Sequence, residues 1–118
     1  FTLQPLVENA IFHGIEPKEG SGTIVISFEQ KEDSLEIGVW DDGVGIPPDK
    51  LRILQSLDQV IEAGEINSGI GLRNIHHRIQ LIYGSEYGLS ISSEEGEYTK
   101  VIITLPVEVR SDVEGLDR

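Results

Sequence analysis

Residues 34–47 read SLEIGVWDDGVGIP. Leu35, Ile37 and Val39 recur with period two, which places them on one face of a β-strand. Asp41 continues that inward face, and Asp42 points the other way, toward solvent. Burying a lone carboxylate costs several kcal/mol, so Asp41 has two readings. Either it opens a glycine turn at the strand end and keeps its carboxylate in water, or it faces inward and accepts a hydrogen bond from a ligand donor such as an exocyclic amine. Gly43 and Gly45 permit positive φ and close approach of a flat ligand or an anion to the main chain. With 13 glycines in 118 residues, a pair at this spacing is expected about once by chance, so these two decide nothing alone.

Working outward, TIVISFEQ (23–30) alternates in the same way, with Ile24, Ile26 and Phe28 on one face. Only Lys31-Glu32-Asp33 separates it from the next strand, which predicts an antiparallel hairpin. Upstream, Leu3, Leu6, Val7, Ala10 and Ile11 recur at helical spacing, so LQPLVENAIFHG (3–14) is predicted as an amphipathic helix that begins near Pro5 and ends at Gly14. Downstream, PDKLRILQSLDQVIEAGEINSG (48–69) has a weaker helical signal and a polar, glycine-containing end of the kind found in mobile loops. Leu72, Ile75, Ile79 and Ile82 then mark a strong helix, GLRNIHHRIQLIYG (71–84), with Gly84 as its C-terminal cap. Two further strands, GLSISSE (88–94) and KVIITLPV (100–107), pair across a turn containing Gly96, and the tail 108–118 frays. This order predicts an α+β fold: a two-layer α/β sandwich, with a mixed, mostly antiparallel sheet and helices on one face. Residues 1–107 form one domain in this reading.

Composition narrows the function. The chain has no Cys, which excludes disulfides, thiolate metal sites and a thiol nucleophile. It also has no Met, so it reads as a piece of a longer protein. No apolar run approaches the ~20 residues that span a bilayer. A net charge of −12 argues against nucleic acid or an anionic membrane as partner, because those surfaces are bound through Lys and Arg.

SGIGLRN (68–74) enters the second strong helix, whose free N–H groups and dipole favour an anion. It is neither a Rossmann fingerprint, since Asn74 stands where the third glycine belongs, nor a P-loop, since the chain has no GK[ST]. A plain glycine hinge remains the other reading. Pro5, Asn9 and His13 lie four apart on one helical stripe. The Asn9 amide oxygen is a hard neutral ligand suited to a Mg²⁺ already carried by phosphates, and a polar surface residue is the alternative. His76 and His77 are adjacent and unsuited to joint metal ligation; they read as a solvated or half-buried pair.

NAIFHG on a helix, DDGVGIP after a strand and SGIGLRN opening a helix, in that order, resemble the N, G1 and G2 boxes of the GHKL ATP-binding superfamily. LQPLVENAIFHGI and GIGLRNIHHRIQLIYG are similar to the ATP-binding domain of LytS/YesM-type sensor histidine kinases, over residues 3 to about 107. The resemblance implies a Bergerat-type fold that binds ATP with Mg²⁺. In it Asn9 would hold the metal, Asp41 the adenine amine, and Gly43 and Gly45 would let the base lie against the chain. Gly69, Gly71 and Leu72 would hold phosphates, Thr99 would lie near adenine and phosphates, and His13, Ile46 and Ile70 would complete the site. Residues 48–68 would form a lid.

Two departures from the family pattern bear on chemistry. A basic residue often stands where Phe12 is, so the resemblance leaves charge compensation to Mg²⁺, the helix dipole and His13, Arg73 or Lys100. Hydrolytic relatives carry a water-activating Glu where this chain has Pro5, which cannot be a general base. The implied reaction is phosphoryl transfer to a His on an upstream dimerisation domain, with a response regulator downstream, in the cytoplasmic part of a membrane-anchored sensor. The alternatives are an anti-sigma-type serine kinase, a nucleotide-binding interaction module without kinase activity, and a clamp-type ATPase.

Overall fold

The computed structural model of the chain describes residues 3–57 and 70–107. The first helix, α1 (Gln4–Asn9), starts with Pro5 in its first turn, where the missing N–H costs nothing. It does not stop at Gly14. From Ala10 to Ile15 the chain continues as a π-helical turn, closed by the Glu16 N–H donating to Ile11 O at 2.8 Å. The helix end predicted at Gly14 is therefore corrected: Gly14 sits inside the π turn because its bare backbone is needed for packing, as described below.

Strands β1 (Ile24–Gln30) and β2 (Ser34–Asp41) form the expected hairpin. Helix α2 (Pro48–Gln55) follows, then α3 (Ile70–Tyr83), β3 (Gly88–Glu94) and β4 (Tyr98–Pro106). Gly84, at φ +117°, ends α3, and its N–H donates to Gln80 O at 2.9 Å. Gly96, at φ +83°, turns β3 into β4. The sheet order is β1-β2-β4-β3, and all three pairings among the described residues are antiparallel.

The pairing register sorts the sheet's inner face into rows. Ile26, Val39, Val101 and Ile91 form one row, and Phe28, Ile37, Ile103 and Leu89 another. From β2, β4 and β3 these rows supply Ile37, Val39, Val101, Ile103, Leu89 and Ile91, all buried against Leu6 and Ala10, Leu54 and Leu57, and Leu72 and Ile79 of the helical layer. The helices thus cover one face of the sheet, as the sequence order implied. The third row, Ile24–Asp41–Thr99–Ser93, is polar at its centre. A polar row at one end of an otherwise apolar face is where the fold departs from a plain core.

Ile26 and Phe28 point to the same side as Val39 and Ile37, but they are 42 % and 62 % exposed. Their alternation gave the correct face, but at these two residues of β1 that face stays open. Across the sheet, β3 is held to α3 by His76, whose Nδ1 accepts from the Leu89 N–H at 2.9 Å. His76 is buried and His77 exposed, so the two are not an equivalent pair.

Candidate functional site

The polar row forms part of the floor of a cleft of about 240 Å³, walled by α1, the π turn, the 44–47 loop, α2 and the start of α3. That volume lies just below the ~300–1,000 Å³ typical of small-molecule sites. Asn9, His13, Asp41, Gly45, Ile46, Leu72 and Thr99, all singled out above, line it.

Asp41 is 2 % exposed at the end of β2. Its Oδ1 accepts from the Gly43 N–H at 2.9 Å, so it does open the glycine turn, but the carboxylate is buried rather than kept in water. The side chain faces inward, as the register predicts. Oδ2 makes no hydrogen bond to any described residue, and the carboxylate opens into the cleft. Burial pushes the Asp41 carboxyl above its ordinary value, against the lowering effect of the Gly43 N–H and with a smaller push from the Asp42 charge. Asp42 is anchored rather than merely exposed. Its Oδ1 accepts from the Thr23 N–H at 2.7 Å and its Oδ2 lies 3.2 Å from Lys18 Nζ. The Thr23 hydrogen bond and then Lys18 hold its carboxyl below the usual range, which overcomes a slight desolvation.

The glycines serve the protein's own backbone. A Cβ on Gly43 would lie 2.1 Å from Gly14 O, and one on Gly14 would lie 2.5 Å from Asp41 Oδ1. Gly43 is buried and is not among the residues that line the cleft. Gly45 does line the cleft, but it has φ +72°, and a Cβ there would meet Glu94 O at 2.3 Å. The loop is then fixed at three points: Val44 N–H to Gly14 O at 3.0 Å, Gly96 N–H to Val44 O at 2.7 Å, and Ile46 N–H to Ser93 Oγ at 2.9 Å. Ser93 also lies 2.9 Å from Thr99 Oγ1 and donates to Tyr98 O at 2.6 Å. Sequence reasoning missed Ser93. Its parity with Leu89 and Ile91 would have placed it on the inner face.

Of the second glycine element, Gly69 and the Ile70 side chain lie outside the described residues, as do 58–68 of the expected lid and the tail 108–118. Gly71 is exposed in the first turn of α3 and does not line the cleft. Thr99 lies within β4, not before it. Two candidate cations are displaced. Buried Arg73 donates through its two terminal nitrogens to the Ile53 and Ser56 carbonyls at the end of α2. His77 Nε2 donates to Leu57 O at 2.8 Å, so one face of α3 holds carbonyls at and just past the end of α2. Lys100 pairs in register with Trp40 and Ser92 on the sheet's opposite face. The cleft also contains Leu54, Ile91 and Val101, and one cation the sequence did not single out, Lys50.

A buried carboxylate with one free oxygen, an amide four residues before a cleft histidine and a hydrogen-bonded glycine loop thus meet in one cleft of a two-layer sandwich. The chain belongs to the histidine kinase-, DNA gyrase B- and HSP90-like ATPase family, whose model matches residues 2–109. It is similar to the sensor histidine kinase YpdA of Escherichia coli, at 43% identity over 70% of this chain and 14% of that protein. It is also similar to the sensor histidine kinase YesM of Bacillus subtilis, at 40% identity over 89% of this chain and 16% of that one. The sensor protein LytS of Bacillus anthracis is 31% identical over 92% of this chain and 18% of its own length. The chain thus spans less than a fifth of the length of each of these relatives. The catalytic domain of the histidine kinase ThkA superposes with a TM-score of 0.60 at 21% identity, covering 87% of this chain and 63% of that one, which shows the shared fold.

Proposed function

We propose that the chain is the ATP-binding catalytic domain of a two-component sensor histidine kinase, which presents the γ-phosphoryl group of ATP to a His on a separate dimerisation domain. The observation that carries this reading is Asp41. A buried carboxylate with Oδ1 fixed by its own turn and Oδ2 free in a cleft is built to accept from a neutral ligand donor, and the adenine exocyclic amine supplies one. Thr99, tied to Ser93, flanks it in the same row. Ile46, Leu54, Leu72, Ile91 and Val101 give the base apolar walls.

Asn9 lines the cleft and makes no hydrogen bond to a described residue, so its amide oxygen is available to a metal. No group of three or more His, Cys, Asp or Glu among the described residues could hold one alone. Mg²⁺ keeps waters and takes phosphate oxygens with one or two protein ligands, so a single amide oxygen is a contribution that suits it. When bound, it would neutralise charge on the phosphates. The chain's own part is positioning: a pinned loop, a fixed carboxylate and apolar walls. Pro5 is exposed and absent from the cleft, so no carboxylate from that helical position activates water. His76 and His77 have ring nitrogens engaged by Leu89 and Leu57, which disfavours both as the phosphoacceptor. We place the acceptor on a partner domain and the product's recipient on a response regulator.

Calorimetric titration tests the reading. Mg·ATP should bind, and Asp41→Asn, which turns an amide donor toward the adenine donor, should weaken ATP and adenosine alike by about 1.5–3 kcal/mol. Asn9→Asp should disturb chiefly the Mg²⁺-dependent part. A chain that binds no ATP, with or without Mg²⁺, sinks the proposal.

A further inference from the structure

The cleft holds an aspartate and, on the reading above, a polyanionic ligand, in a chain of net charge −12. Charge of the opposite sign must come from somewhere, and Phe12, 54 % exposed, does not supply it. Arg73 and Lys100 are committed or on the wrong face, as shown. Lys50 is the lysine that lines the cleft.

Three observations set it apart. It lies four residues before Leu54 on α2, so it shares the stripe that faces the cleft, where Leu54 is buried. It has no ion-pair partner among the described residues: Lys18 pairs with Asp42, Lys31 with Glu36, and Arg52 takes Asp49, the carboxylate beside Lys50. It also stands in the first turn of α2, the end at which the helix dipole disfavours a cation, so helix stability does not account for it. A cation and the positive end of a helix converging on one cleft suit an anionic ligand group.

We infer that Lys50 contacts the phosphate oxygens of the bound nucleotide and supplies the positive charge that position 12 lacks. An ammonium on a flexible stem acts as a point charge toward phosphate and needs no fixed fork geometry. This inference rests on the nucleotide reading of the cleft, and its test separates the two. Mg·ATP and adenosine are titrated into the full chain and into Lys50→Gln and Lys50→Arg, each checked for an unchanged melting temperature. Lys50→Gln should weaken Mg·ATP about tenfold or more and leave adenosine unchanged, with a shallower salt dependence for ATP. Lys50→Arg should recover most of the loss. Equal loss of ATP and adenosine in Lys50→Gln, or no loss of either, overturns the phosphate contact while the nucleotide reading stands. If wild type binds neither ligand, both fall together.

Discussion

Strands β1 and β3 lie at opposite edges of one sheet, each has seven residues, and each alternates apolar with polar side chains toward the helical side. Their surroundings differ completely. On β3, Leu89 and Ile91 are buried, and helix side chains also satisfy its backbone: His76 accepts from the Leu89 N–H, and Gln55 Nε2 donates to Ile91 O at 2.9 Å. On β1, Ile26 and Phe28 are open, and no helical side chain among the described residues reaches the strand's backbone. Period-two alternation therefore specifies which way a residue points. Whether anything covers it is decided by helix placement, and the helices gather over β4 and β3, beside the cleft.

The sharpest way to break this contrast is to truncate on each side. Ile103→Ala, in the fully covered row, should lower stability by about 2–5 kcal/mol in urea unfolding, because the methyls it loses leave a cavity under the helices. A cost below about 1 kcal/mol would mean that the covered half is loosely packed.

The polar row gives the next effect, and its sign follows from burial. The Asp41 carboxyl titrates above its ordinary 3.8 in the folded chain. Between those two values the folded state keeps a proton that the unfolded state has lost, so this group's contribution to stability falls as pH rises through the window and stays unfavourable at neutral pH. Asp41→Asn retains an acceptor for the Gly43 N–H and removes the charge. Relative to wild type, the variant should gain stability as pH is raised from below 3.8 to 7, measured as the difference in urea midpoints. A constant difference across that range would show that the buried charge carries no penalty. The smallest effect belongs to β1: Phe28→Thr should change stability by no more than about 0.5 kcal/mol, since the ring is already in water. A loss of several times that would show Phe28 packed in solution.

The sequence made the strands, the hairpin, the Gly84 cap and the inward register of Asp41 legible, because each follows from a local period or a glycine conformation. The role proposed for Asp41 came from the family resemblance, since register alone left it open. Three things were not legible, for three physical reasons. Gly14 looked like a helix stop because a helical glycine usually is one; its reason for being glycine is the Asp41 carboxylate, which is distant in sequence. Gly43 looked like a place for ligand, but backbone from another element already fills that space. Arg73 was singled out as a charge partner and Lys50 was not, because a cation over a cleft and one locked on helix carbonyls have the same local sequence signature. Only the relative placement of α2 and α3 separates them.

The π turn has a consequence for chain length. An α-helix turns about 100° per residue, and a wider turn arises when one extra residue is taken up without unwinding the rest. Deleting a single residue between Ala10 and His13 would therefore let the turn relax to an ordinary α-helix while the residues on either side keep their places, with Gly14 still against the Asp41 carboxylate. The turn thus carries one residue of slack next to the site. A substitution scan would miss that tolerance, and a one-residue deletion series would expose it.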